Sequence, residues 1–226
     1  WHRANELPVY AGLLHSASER AAEGITEEDV AWGLASVRAH YRRLVAKAAE
    51  DGAPVLVTLT PVQQAVLEKK FADKDEKYAK EFLSPDDKKR RRAQLTRMLD
   101  RFRDFTGELT SDQEARVERF ALAHERHVAL RFEDRLRWQR DLVAALREQH
   151  EPQELGRRLA EMATRPQLRR SEEFLREDKR WDEDLGKLIV DLDRSLSAKQ
   201  RARVVRRLSD YAEDFAVLAG RRKEAA

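Results

Sequence analysis

From Thr110 to His150 the chain runs 41 residues without a glycine or a proline. At 1.5 Å per residue such a stretch reaches roughly 60 Å as one α-helix. Val128, Phe132, Leu136, Val143 and Leu146 recur along it at helical spacing and predict one apolar stripe. A second long helix is expected from Pro166 to Arg194, carried by Leu185, Ile189 and Leu192. Elsewhere, Gly, Pro and Ser punctuate the chain at Glu23-Gly24, Asp51-Gly52-Ala53-Pro54, Leu83-Ser84-Pro85, Thr106-Gly107, His150-Glu151-Pro152, Thr164-Arg165-Pro166 and Ser195 to Ser197. Between these breaks the apolar residues keep a helical period, most clearly Val30, Leu34, Val37, Tyr41, Leu44 and Ala48, with Trp32 off that stripe. Only two Ile and 8 Gly leave too little β-branched and turn material for a sheet-rich fold. The fold class read from the sequence is all-α, an elongated antiparallel bundle or arch of about seven to eight helices, two of them long. The exception is Val55-Leu56-Val57-Thr58, read as an extended linker.

Charge narrows the function classes. Lys and Arg number 45 against 42 Asp and Glu, so 38% of the chain is charged while the net charge is only +3. Basic runs such as Lys88-Lys89-Arg90-Arg91-Arg92 have acids close by and no helix-turn-helix or RNA-binding signature, which disfavours nucleic acid. With no Cys, disulfides, thiolate metal sites and cysteine nucleophiles are excluded. No apolar run approaches the length of a membrane span. Residues 1–226 are expected to form one helical domain, with a possible subdivision into 1–108 and 109–226. The chain opens Trp1-His2-Arg3 with no initiator Met, so an N-terminal piece, with any targeting signal in it, is expected to have been removed.

A helix-start pattern occurs three times, as Leu59-Thr60-Pro61-Val62-Gln63, Leu109-Thr110-Ser111-Asp112-Gln113 and Leu196-Ser197-Ala198-Lys199-Gln200. It has the form of a capping box: the Thr60, Thr110 or Ser197 hydroxyl accepts from a first-turn N–H, and Gln63, Gln113 or Gln200 reaches back to the cap residue. Ile25-Thr26-Glu27-Glu28-Asp29-Val30 is a weaker version. Capping alone accounts for any one copy.

Three copies ahead of charge-rich amphipathic helices resemble the LTxxQ motif of the Spy/CpxP class of periplasmic proteins, which are helical, cofactor-free stress chaperones or regulators. Trp1 to Ala11, Gly24-Ile25-Thr26 and the first two Leu-Thr motifs are also similar to an uncharacterised family of proteobacterial lipoproteins. That likeness covers most of the chain. It implies a lipidated Cys upstream and a helical body held at a membrane in the periplasm, at the outer membrane, and it brings no catalytic residues. The smaller chaperones are short hairpins that dimerise, whereas this chain has helices enough to build a surface alone.

Sites for chemistry are scarce. His124 and His127, three apart on one helix, have the spacing of two zinc ligands, but His124 falls on the apolar stripe between Phe120 and Val128 and reads better as a core or interface histidine. No His-Glu-x-x-His, Gly-rich phosphate loop or Gly-x-Ser-x-Gly occurs. We therefore expect no catalytic residues, no metal and no cofactor. The expected function is that of a non-enzymatic periplasmic lipoprotein binding protein clients or envelope components on an amphipathic helical surface, like a chaperone. The alternative is an adaptor with one fixed envelope partner. Candidate client-binding residues are the off-stripe aromatics Trp32 and Trp138 with the nearby Arg135, Arg137 and Arg140, because aromatic and Arg side chains anchor interfaces.

Overall fold

The computed structural model describes residues 1–148 and 151–220, and among them it is all-α, with no strand. A single turn, α1 (His2–Asn5), leads into α2 (Leu7–Glu23), α3 (Glu27–Leu56), α4 (Pro61–Phe82), α5 (Asp87–Thr106), α6 (Ser111–Ala123), α7 (Glu125–Arg147), α8 (Pro152–Thr164), α9 (Glu172–Arg194) and α10 (Ala198–Leu218). A 3₁₀ turn at Pro166–Leu168 separates α8 from α9.

The chain forms two compact units, and neither is one continuous stretch. The first takes residues 1–40, 95–121 and 182 onward; the second takes 41–94 and 122–181. The division therefore differs from a single cut at residue 108, and α3, α5, α6 and α9 contribute residues to both units.

In the first unit α2 and α10 pack against each other. Tyr10 meets Phe215, Ser18 Oγ lies 2.9 Å from Ser209 Oγ and donates to the Val205 carbonyl, and Arg201 reaches the Ala21 carbonyl, so the two helices are antiparallel. Ala11, Ser18 and Ala21 are buried on the contact face, and their small side chains permit the close approach. Asp193, buried at the end of α9, takes both Nη atoms of Arg201 at 2.9 and 3.0 Å and the Ile25 N–H at 3.0 Å. This pins the α2–α3 turn to the α9–α10 turn.

In the second unit Ala49, Ala53, Ala145, Leu146, Leu155 and Leu159 form a core. Gly156 of α8 faces α3 so closely that a Cβ there would stand 3.3 Å from the Ala53 Cβ and 3.5 Å from the Ala49 carbonyl oxygen. α4 packs on α7 through Tyr78 stacked on Phe132, with ring centroids 5.4 Å apart, and through buried Asp75, which accepts from Gln139 Nε2.

Four local expectations are corrected. The 110–150 stretch is not one helix: it breaks at His124, whose φ of −119° and ψ of 21° leave the helical region, close to where the chain passes from one unit to the other. Its expected end falls partly outside the described residues. The 166–194 helix begins only at Glu172, because the Ser171 hydroxyl accepts from the Phe174 N–H and caps a new start. Conversely, Gly52 and Pro54 do not end α3, and Val55 to Thr58 is not extended. α3 continues to Leu56 because burial of Ala49 and Ala53 against α8 favours the helical backbone, which outweighs the N–H that Pro54 lacks for the Glu50 carbonyl. The α3 stripe also fails at its centre, where Val37 is 67% and Tyr41 59% exposed, on either side of the change of unit.

Candidate functional site

Each unit has a concave site with a mainly apolar lining. In the second unit a cleft of about 660 Å³ lies among α3, α4, α7 and α8, within the roughly 300–1,000 Å³ of typical ligand sites. Its apolar lining includes Val45, Leu67, Leu142 and Met162, and Trp138 borders it with 37% of its surface exposed. Residues at 131, 134, 135, 138 and 142 share one side of α7 by the helical period, which is why Arg131, Asp134, Arg135, Trp138 and Leu142 all line the cleft. Arg137 and Arg140 fall on other sides of α7 and do not line it; Arg140 is exposed and Arg137 half-buried.

The cleft's charges are paired in an uneven way. Arg135 Nη2 lies 2.9 Å from Asp75 Oδ1, and its guanidinium sits over the Tyr78 ring. Arg170 Nε donates to Asp134 Oδ2 at 3.1 Å, and Arg169 Nη1 donates to Asp141. Asp134 Oδ1 and Arg169 Nε are buried without a hydrogen-bond partner among the described residues. An acceptor and a donor are thus left unmatched beside an exposed indole, and buried unmatched groups carry a desolvation cost of about 1–3 kcal/mol each.

In the first unit a cavity of about 460 Å³ is lined almost wholly by apolar atoms of α2, α3, α5, α9 and α10. Trp32 belongs here: the Arg20 guanidinium stacks 4.6 Å from its ring centroid and also bonds Asp29. The Thr26 hydroxyl and backbone N–H donate to the same carboxylate, and with Arg20 they hold it from its ordinary 3.8 down to about 2. Trp32 and Trp138 are therefore parts of two different sites.

The repeated motifs cap their helices reciprocally. Thr60 N–H donates to Gln63 Oε1 at 2.9 Å, Thr110 N–H to Gln113 Oε1 at 3.0 Å and Ser197 N–H to Gln200 Oε1 at 2.9 Å. Each hydroxyl accepts from the backbone N–H of its Gln in return. Sequence reasoning missed that two of the motifs meet. Gln200 Nε2 donates to Gln113 Oε1 at 2.8 Å and to the Glu108 carbonyl at 2.9 Å, while Gln113 Nε2 donates to Gln200 Oε1 at 3.3 Å and to the Ser195 carbonyl at 3.1 Å. Each Gln thus bonds the other amide and the carbonyl just before the other motif. The exchange is symmetric, and both Gln are buried. Only the identity of the two motifs, not their separation of 87 positions, hinted at the pairing.

The histidine pair divides. His124 is buried at the helix break, while His127 Nε2 lies 3.0 Å from Asp178 Oδ1 and its ring stacks on Trp181. Burial alone pushes the Asp178 carboxyl up, but the His127 bond and the Arg170 charge outweigh it and hold the group below its ordinary value. No group of three potential metal ligands forms among the described residues. In the basic run, Arg90 and Arg91 both contact Glu125. No helix among the described residues is long and apolar enough to cross a membrane.

These observations define an all-α protein with one mixed polar and apolar cleft and one apolar cavity. The chain belongs to DUF6279, a family of unknown function, whose profile matches residues 1–176. No curated protein and no solved structure matches the chain.

Proposed function

We propose that this protein is a non-enzymatic periplasmic lipoprotein that binds polypeptide clients in the cleft of its second unit, in the manner of a chaperone. The observation that carries the reading is the composition of that cleft: a half-exposed Trp138 over an apolar floor, with Asp134 Oδ1 and Arg169 Nε buried and unmatched beside it. An extended polypeptide supplies an apolar side chain for the floor, and a small shift of the Asp134 and Arg169 side chains would open their unmatched atoms to its N–H and C=O groups. Paired charges around the cleft keep water-exposed flanks soluble and are consistent with broad, weak recognition. The three Leu-(Thr/Ser)-x-x-Gln motifs support kinship with periplasmic LTxxQ proteins, and the likeness of Trp1 to Ala11 and Gly24-Ile25-Thr26 to proteobacterial lipoproteins supports a lipid anchor at the outer membrane.

The reading is tested by light scattering of reduced lysozyme, whose aggregation the protein is expected to slow at equimolar ratio. Trp138→Ala is expected to lose that effect while keeping the wild-type circular dichroism spectrum. Undiminished aggregation with the wild-type protein refutes the reading. A fixed adaptor, in contrast, returns one partner rather than many from envelope extract and leaves lysozyme aggregation unchanged.

A further inference from the structure

The cavity of the first unit differs from the client cleft in one chemical respect: its carboxylates and its one hydroxyl are already matched. Asp29 accepts from Thr26 and Arg20, Asp193 accepts from Arg201 and Ile25, and the single proton of the Thr106 hydroxyl is shared between the Phe102 and Gly107 carbonyls, each 3.0 Å away. Apart from the guanidinium groups of Arg20 and Arg101, the rest is hydrocarbon from residues such as Val30, Phe105, Ile189, Leu192 and Leu208. A peptide entering there would bury N–H and C=O groups with nothing to bond them, which is strongly unfavourable. A hydrocarbon chain meets no such penalty.

Gly33 adds a second, independent observation. It lies inside α3, where glycine is less favourable than alanine. Gly156 has a packing reason for its missing side chain, but Gly33 has none, since a Cβ built there meets nothing within 4 Å. That empty direction belongs to a residue lining the cavity. The third observation is at the solvent edge, where the Arg20 side chain is 44% exposed and lies flat against Trp32. A guanidinium carries five N–H donors, and one Nη is engaged with Asp29.

We propose that this cavity binds one single-chain anionic amphiphile, a long-chain carboxylate with its alkyl tail among the apolar side chains and its headgroup at Arg20. At roughly 30 Å³ for a group the size of water or a methylene, the volume of about 460 Å³ accommodates a tail of about 15 carbons. The site is separate from the client cleft, and the inference does not rest on the client reading.

The test titrates the full chain with laurate, myristate and palmitate below their micelle concentrations, using calorimetry. One saturable site is expected, tightening by about fourfold per added methylene up to palmitate, with hexadecanol weaker than palmitate and Arg20→Gln removing that preference. Gly33→Leu fills the open direction and is expected to fold with an equal or higher Tm while losing palmitate at least tenfold. Should that variant fail to fold, the chain-length series and the comparison of palmitate with hexadecanol decide on the wild-type protein alone. Absence of saturable palmitate binding, equal affinity across the series, or undiminished binding in folded Gly33→Leu overturns the proposal. An apolar peptide that competes for the cavity more strongly than palmitate does so as well.

Discussion

The Gln113–Gln200 exchange makes a quantitative claim about coupling between distant parts of the chain. Gln113→Ala removes the bond that the Thr110 N–H donates, the bond to the Ser195 carbonyl and both bonds to the partner amide. A net loss of about 1 kcal/mol is expected for each well-formed bond, with a further penalty for groups left buried and unmatched. The Ser195 carbonyl and the Gln200 amide are such groups, so the three bonds at 2.8–3.1 Å and this penalty together should make the single substitution cost at least about 4 kcal/mol. Gln200→Ala loses the equivalent set, including the Glu108 carbonyl bond, and should cost about the same. In the double variant the amide–amide bonds are counted once and neither amide remains stranded, so the cost should fall short of the sum by about 1–2 kcal/mol. Urea unfolding followed by circular dichroism measures all four proteins, with equal m-values required for the comparison. Costs that add to within about 0.5 kcal/mol would refute the pairing as an energetic unit and reduce both motifs to local caps.

Arg201→Ala strands the buried Asp193 carboxylate and should cost about 3–5 kcal/mol in the same assay, among the largest single effects in the first unit. Thr60→Ala should cost only about 1 kcal/mol, because its capping box stands in the exposed start of α4. Asp29→Ala should cost about 1 kcal/mol at neutral pH. The Asp29 carboxyl titrates at about 2 when folded, below its ordinary 3.8, so its stabilisation is complete above 3.8 and lost as the pH falls through that range to about 2. The stability gap between wild type and Asp29→Ala, measured by urea unfolding across this range, should close accordingly. Gly156→Val should destabilise by about 1–3 kcal/mol through contact with Ala53 and the α3 backbone, and a neutral result would show that α8 is free to shift.

Fold class was legible because 3.6-residue stripes and scarce Gly and Ile leave few alternatives to helices. Caps were legible for the same local reason: Thr60, Thr110 and Ser197 each act within four residues. What escaped was set by tertiary contact. Gly52 and Pro54 look like a helix end, yet Ala53 buried beside Gly156 carries α3 past them. His124 sits in a run with no breaker, yet the chain changes unit there and the helix bends. In the candidate site, Trp138 and Arg135 share a side of α7 and were separable from Arg137 and Arg140 by the helical period alone. The apolar cavity beside Trp32 was not legible, since it is assembled from five helices and residues such as Val30, Leu185 and Ile189 read only as the apolar stripes of separate helices.

The client reading is tested most directly by equilibrium binding. Fluorescence anisotropy with labelled, reduced and carboxymethylated α-lactalbumin reports affinity for a chain that cannot fold. Trp138→Ala is expected to weaken binding about tenfold or more, the loss typical of an aromatic anchor, with an unchanged Tm. Val62→Ala, at an exposed residue of the same unit that does not line the cleft, is expected to bind as the wild type does. Equal affinity for wild type and stably folded Trp138→Ala would contradict the account and remove the cleft as the place where clients bind.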